Sequence, residues 1–175
     1  MQYAGNAKAL AGDLNLDLEL AQSLDAIGSI YYDIGNQAKS SESFFARLSI
    51  YEKLGNKDGI GGAFCRIGTL YLDQKDFDKA VEYYSNSIQL AREINRKDGI
   101  ASNLNNLAKV YTEKREYDKA LQSYQEALRI NIEMGNLYLT ASNYLNIATV
   151  YFKLEQYPVA VSKVKQAQQL FEKLG

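Results

Sequence analysis

RKDGIASNLNNLAKVYTEKREYDKALQSYQEALRINIEMG, residues 96–135, contains two amphipathic helical patterns. Apolar residues recur in it at three- and four-residue spacing, in two runs that the polar stretch EKRE separates. The segment closes on Gly135, and glycine readily adopts the left-handed backbone conformation that ends a helix. This stretch therefore predicts a helical hairpin, in which two helices are joined by a short turn.

The same pattern recurs through the chain with a period of 40 residues and without a gap. The segments span 16–55, 56–95, 96–135 and 136–175. In each of them a small residue precedes a tyrosine by three positions, at Gly28, Gly68, Ala108 and Ala148. A second small column, followed four positions later by a bulky one, comprises Ser40, Ala80, Ala120 and Ala160, then Phe44, Tyr84, Tyr124 and Val164. Small and bulky residues at this spacing let two helices pack at close range, so we expect four stacked hairpins.

These columns resemble the tetratricopeptide repeat, in which large, small and aromatic residues follow a fixed order. The third segment carries that order in Leu104, Leu107, Ala108, Tyr111, Tyr117, Ala120, Tyr124 and Ala127. The first segment departs from it, with Gln37, Ser40 and Arg47 at weakly matching positions. The 40-residue period is similar to that of a subgroup found in cell-polarity adaptors and in bacterial regulators. The resemblance implies an all-α fold, a right-handed α-α superhelix (solenoid) of antiparallel helical hairpins with four repeats.

The two ends of the array lead to further expectations. We expect residues 1–175 to form a single array, in which residues 1–15 are the remnant of a helix from a preceding repeat. The last helix carries apolar residues that cannot all face its neighbour, among them Val159, Val161 and Val164. We therefore expect the chain to be a piece of a longer protein, with an exposed C-terminal helix that joins two copies in a homodimer.

Composition excludes several classes of chemistry. The 175 residues include no histidine and one cysteine, which rules out histidine-based nucleophile pairs, histidine–metal sites and an internal disulfide. Twenty basic against 21 acidic residues leave a net charge of −1, which gives no strong attraction to nucleic acid or to an anionic membrane. No stretch is apolar enough to span a bilayer. We expect no enzyme activity, no cofactor and no metal, and a cytoplasmic location, with the periplasm as the alternative.

In tetratricopeptide repeats the first helices of successive hairpins line a concave groove that commonly holds an extended or helical peptide. The helical period assigns to that side the face opposite the stripe of small residues and tyrosines. The predicted groove residues are Asp25, Tyr32, Arg66, Thr69, Asp73, Ser102, Asn106, Lys109, Ser142, Asn146, Thr149 and Lys153. Asn106 and Asn146 share one phase, and an amide can both donate to and accept from a peptide backbone. A plain, water-facing helix surface is the alternative interpretation.

These features favour a protein–protein interaction scaffold that binds a peptide or a partner helix in the groove. The alternative is a sensory or regulatory segment of a larger bacterial signalling protein, such as a kinase, a cyclase or a transcription regulator. Along the predicted groove, Asp25 and Asp73 precede Lys109 and Lys153. Such an order of charges would orient a partner, unless these side chains are ordinary solvated charges.

Overall fold

The computed structural model describes the backbone of residues 2–174 and the side chains of residue 13 and of residues 15–174. Within this range the chain forms eight α-helices and no strand. They are α1 (Gln2–Asp33), α2 (Gln37–Lys53), α3 (Lys57–Asp73), α4 (Phe77–Glu93), α5 (Lys97–Glu113), α6 (Tyr117–Glu133), α7 (Leu137–Lys153) and α8 (Tyr157–Glu172). Of the helices so described, none is both long and apolar enough to cross a membrane.

Consecutive helices pack together as antiparallel hairpins, and the hairpins stack in chain order. The hairpins are α1–α2, α3–α4, α5–α6 and α7–α8, and the second helix of each packs on the first helix of the next. α3 also touches α5, the first helix of the following hairpin. Because each hairpin packs on its neighbours in sequence, the structure is a solenoid, and the predicted all-α repeat fold is confirmed.

The small columns receive bulky side chains from the second helix of the same hairpin. The Phe44 ring lies against Gly28, where an added Cβ atom would stand 2.5 Å from the ring. Tyr84 covers Gly68 in the same way, with its ring 3.0 Å from the corresponding position. Both aromatic side chains are buried. The alternation of small and bulky residues therefore sets how closely the two helices of these hairpins approach.

The turns contain residues with left-handed backbone conformation. Between hairpins these are Gly55, Asn95 and Gly135, with φ of 63°, 55° and 68°, which confirms the predicted helix ends. Within hairpins they are Gly35, Lys75, Arg115 and Glu155. At the last turn between hairpins, for example, the Gly135 and Asn136 amides both donate at 3.0 Å to carbonyl oxygens near the end of α6. These bonds satisfy acceptors that the end of a helix leaves unpaired.

The first helix is the longest of the described helices. α1 runs without a break from Gln2 to Asp33, across residue 16, where the first repeat is predicted to begin. Residues 10–20, LAGDLNLDLEL, contain no proline, and a single glycine inside a helix costs only about 1 kcal/mol. A helix can therefore continue through this segment. The side chains of residues 1–12 lie outside the described set, and their origin in a preceding repeat stays a prediction.

Candidate peptide-binding groove

The first helices of successive hairpins contact one another through side chains at predicted groove positions. Arg66 Nε on α3 lies 3.3 Å from Asp25 Oδ1 on α1. Asn106 Nδ2 on α5 donates to Cys65 Sγ on α3 across 3.7 Å. Partners in both pairs are 41 residues apart, which is one repeat plus one position. These contacts join α1, α3 and α5 into one surface, and we call the side of α1, α3, α5 and α7 that carries the predicted residues the first-helix face.

Arg47 reaches the first-helix face from α2. From the sequence it was noted only as a residue that matches the repeat pattern weakly. Its Nη1 atom lies 3.2 Å from Asp25 Oδ1, and its side chain is only 12% exposed. Gly62 leaves room for it, since an added Cβ atom there would stand 3.1 Å from Arg47 Nη2. One carboxylate is thus shared by Arg47 and Arg66, so the predicted groove residue Asp25 is paired within the chain. The sequence contained a signal for this contact: Arg47 is long and charged, whereas the equivalent positions of the other repeats hold the small residues Ser87, Ala127 and Ala167.

Tyr32 and Asp73 join α1 to α3 further along the face. The Tyr32 hydroxyl donates a hydrogen bond to Asp73, and this bond, together with burial, raises the pKa of Tyr32 to about 12. Nearby, the Thr69 hydroxyl donates to the carbonyl oxygen of Cys65 at 3.0 Å and also lies 3.0 Å from the Tyr84 hydroxyl. A cavity of about 260 Å³ is lined by Ser29, Tyr32, Asp33, Phe44, Arg66 and Thr69. Three predicted groove residues from two repeats therefore share one depression.

The predicted residues of the third and fourth repeats all carry polar side chains. The hydroxyls of Ser142 and Thr149 donate, both at 3.0 Å, to carbonyl oxygens one turn earlier in α7. Ser102, Lys109 and Lys153 are exposed, whereas Asn106 and Asn146 are half-buried. This part of the face therefore presents ammonium and amide groups, while its α7 hydroxyls are satisfied by their own helix.

A chain of buried amides crosses from α6 to α5 and was missed by the sequence reasoning. Asn131 Nδ2 donates to Asn143 Oδ1 at 2.6 Å, and Asn143 Nδ2 donates to Asn105 Oδ1 at 2.5 Å. In the third repeat the position of Asn143 is held by Asn103. Asn103 is 5% exposed, and its Oδ1 has no hydrogen-bond partner among the described residues. The available signal was Asn131, whose equivalent positions in the other repeats hold a tyrosine, an alanine and a phenylalanine.

Cys65 is half-buried within the first-helix face. Burial raises the pKa of its thiol, and the neighbouring Arg66 only partly opposes that effect. A protonated thiol is a poor nucleophile, so the position of Cys65 favours packing over reactivity. Among the described residues, no group of three or more histidine, cysteine, aspartate or glutamate side chains is arranged to hold a metal ion.

Comparison with protein families identifies the repeats. A family model described as tetratricopeptide repeat matches residues 60–133. This match covers less than half of the chain, and the matched segment is similar to tetratricopeptide repeats. Tetratricopeptide repeats are typical of protein–protein interaction and generally serve as non-catalytic scaffolds. No curated protein sequence matches the chain.

Solved structures that share the tetratricopeptide-like fold include three with high structural similarity. BtubC (BKLC) from P. vanneervenii has a TM-score of 0.80 and 17% identity, over 88% of this chain and 64% of that one. Aspartyl phosphate phosphatase F from Bacillus subtilis has a TM-score of 0.84 and 17% identity, over 90% and 41% of the two chains. The apo form of RapI has a TM-score of 0.80 and 20% identity, over 90% and 44%. The chain spans less than two thirds of each of these structures, and likeness at this identity shows the fold alone.

Proposed function

We propose that the first-helix face binds a protein segment, so that the chain acts as a protein–protein interaction scaffold. The observation that carries this proposal is the direct joining of α1 to α3 through Asp25 with Arg66, and of α3 to α5 through Cys65 with Asn106. A hydrogen bond between Asn105 and Asn143 links α5 to α7 in turn. Cavities of about 300 and 260 Å³ lie along the first-helix face, each lined by residues of at least two repeats. A guest that follows the face would therefore contact several repeats at once.

The polar groups on this face suit a peptide main chain. Asn106 and Asn146 occupy equivalent positions of adjacent repeats, and each amide offers both a donor and an acceptor. Repetition at the stacking interval of the hairpins would let them hold an extended backbone at regular points. The exposed Lys109 and Lys153 lie on the same part of the face and would favour an acidic segment there.

The proposal can be tested with peptides selected from a library on the wild-type chain. The affinity of a selected peptide is then measured by fluorescence anisotropy with the double variant Asn106→Ala plus Asn146→Ala. Loss of two backbone-holding amides should weaken binding about tenfold or more, since each net hydrogen bond contributes about 0.5–1.5 kcal/mol. The matched control is Gln122→Ala plus Gln125→Ala, two exposed amides on α6, which should bind like the wild type. Equal affinity of all three proteins would contradict the placement of the groove.

The finer sequence-based expectations remain separate from this proposal. The absence of enzyme activity, of a cofactor, and of nucleic-acid and membrane partners stays a prediction, as does the cytoplasmic location with the periplasmic alternative. The homodimer through the C-terminal helix is likewise a prediction.

A further inference from the structure

A cavity of about 300 Å³ lies between the second and third repeats on the first-helix face. Its lining includes Asp25 on α1 and residues on both sides of the junction of α4 with α5. Its wall includes Arg47, Gly62, Arg66, Ala91, Gly99 and Asn103. Three consecutive repeats thus contribute to one depression.

The equivalent space at the other two junctions between repeats is filled by a side chain of the chain itself. Between the first and second repeats, the Tyr51 ring covers Gly59 so closely that an added Cβ atom would overlap it. Between the third and fourth repeats, the position of Tyr51 is held by the fully buried Asn131. Between the second and third repeats, the same position is Ala91. Ala91 lines the cavity, so the junction with the cavity carries a smaller side chain at this position than either neighbouring junction.

Asn103 shows what kind of group is missing. Its Nδ2 donates to the Gly99 carbonyl oxygen at 2.8 Å, which fixes the orientation of the amide. Its Oδ1 has no hydrogen-bond partner among the described residues, although Asn103 is only 5% exposed. One repeat later, the Oδ1 of Asn143 accepts a hydrogen bond from the amide of Asn131 at 2.6 Å. The cavity thus retains the acceptor of that pair and lacks its donor.

The charged groups at the wall restrict the guest further. Arg47 Nη1 is paired with Asp25, whereas Arg47 Nε has no hydrogen-bond partner within the described part of the chain, and the Arg66 side chain is half exposed. A carboxylate would set an acceptor against Asn103 Oδ1. The three aspartates of the wall are each already paired with an arginine, so an ammonium group would have to compete with an existing ion pair. A primary carboxamide supplies both a donor for Asn103 and an acceptor for a guanidinium group. This combination matches the wall of the cavity.

We propose that this cavity binds the side-chain carboxamide of an asparagine or glutamine in the partner segment. The guest amide takes the place that Asn131 holds at the following junction, donates to Asn103 Oδ1 and accepts from Arg47 or Arg66. That this amide comes from a partner protein rests on the proposed function of the first-helix face. The cavity itself can be tested without any protein partner.

The test is a titration of the ¹⁵N-labelled chain with small amides, followed through the backbone signals of Gly61, Gly62 and Gly99, which border the cavity. The probes are the N-acetyl N-methylamides of asparagine and of glutamine, and the controls are the same derivatives of aspartate and leucine. The asparagine or the glutamine derivative should shift these three signals in a saturable way. Its half-saturating concentration should be about tenfold lower than that of either control. Equal shifts with all four compounds, or none with the two amides, would overturn the proposal.

Two variants separate the amide pairing from simple occupation of space. Ala91→Asn builds the counterpart of Asn131, so it should abolish the shifts caused by the asparagine derivative without lowering the Tm. Asn103→Ala keeps the cavity open but removes the acceptor, so asparagine and leucine derivatives should bind equally. The matched control is Ser85→Asn, an exposed substitution on the same helix as Ala91, which should leave the titration unchanged. Retained binding in Ala91→Asn, or retained preference in Asn103→Ala, contradicts the proposal.

The outcomes also distinguish this inference from the proposed function. If the small amides bind as expected while the first-helix face captures no peptide, carboxamide binding in the cavity is supported and the scaffold function is contradicted. If a selected peptide binds the wild type and Ala91→Asn equally well, the scaffold function is supported and carboxamide binding in the cavity is contradicted.

Discussion

Arg115 lies in the turn between α5 and α6 with φ of 61°, in the left-handed region that side chains with a Cβ atom disfavour. The cost of that conformation is about 1–2 kcal/mol, and glycine, which occupies the equivalent turn position at Gly35, avoids it. Glycine loses about 0.5–1 kcal/mol through the greater freedom of the unfolded chain. Arg115→Gly should therefore stabilise the fold by up to about 1 kcal/mol, seen as a Tm higher by about 2–4 °C. Arg129→Gly, inside α6, should lower the Tm, and the same sign for both variants would contradict the argument.

Tyr124 links stability to alkaline pH. The side chain is 3% exposed, and burial raises its pKa to about 12, whereas an unperturbed tyrosine has a pKa of about 10. The folded state therefore holds the phenol proton more tightly than the unfolded state does. This contribution to stability is fully present below pH of about 10 and is lost as the pH rises toward about 12.

The corresponding variant is Tyr124→Phe, measured by urea unfolding at a series of alkaline pH values. Its free energy of unfolding should fall less steeply than that of the wild type across the window from about 10 to about 12. Tyr157→Phe, which changes an exposed ring on α8, serves as the control and should keep the wild-type slope. An unchanged slope in Tyr124→Phe would show that Tyr124 does not hold its proton more tightly in the folded state.

Among the helices, the contact between α5 and α6 depends on a small residue at position 120. Ala120 is fully buried in a cluster with Ala108 and Tyr124, so a larger side chain has no space. Ala120→Trp should overpack this contact and destabilise the chain by about 1–3 kcal/mol, measured as a lower Tm. Gln122→Trp places the same ring on an exposed position of α6 and should change the Tm little. If both variants melt like the wild type, position 120 does not set the distance between these helices.

The helices and hairpins were predictable because their determinants recur in every repeat. A small residue such as Gly28 or Ala108 and a helix-ending residue such as Gly135 stand at fixed intervals, so each repeat supports the interpretation of the others. Features that occur in a single repeat have no such support. Arg47 and Asn131 are of this kind, because their meaning depends on which side chain faces them from another helix. The sequence does not define how far α1 extends before residue 16, because this extension precedes the first full repeat and has no column of equivalent residues.

At the scale of the whole molecule, both ends of the stack present apolar surface. In α1, Ile27 and Ile30 are 43% and 60% exposed, whereas their counterparts Ile67 and Leu70 are 0% and 3% exposed because α2 covers them. The exposed N-terminal face was not expected from the sequence, which drew attention only to the C-terminal helix. The repeat geometry explains it, since every first helix buries this face against the preceding hairpin and α1 has none within the described residues.

The opposite end leads to the prediction of a homodimer through α8. Val161 and Val164 are 53% and 45% exposed on this helix, and a two-fold contact between two copies would bury them. Light scattering of the wild-type chain should then give twice the monomer mass, and Val161→Glu plus Val164→Glu should give the monomer mass. Ile27→Glu plus Ile30→Glu at the other end should remain dimeric, because an α8–α8 contact is self-complementary and closes at two copies. If α8 of one copy stacked instead on α1 of the next, either double variant would break the contact. The mass of the wild-type assembly would then keep rising with concentration, because head-to-tail contacts do not close at two copies. A monomeric wild type, or a mass that depends on Ile27 and Ile30, would contradict the α8 dimer.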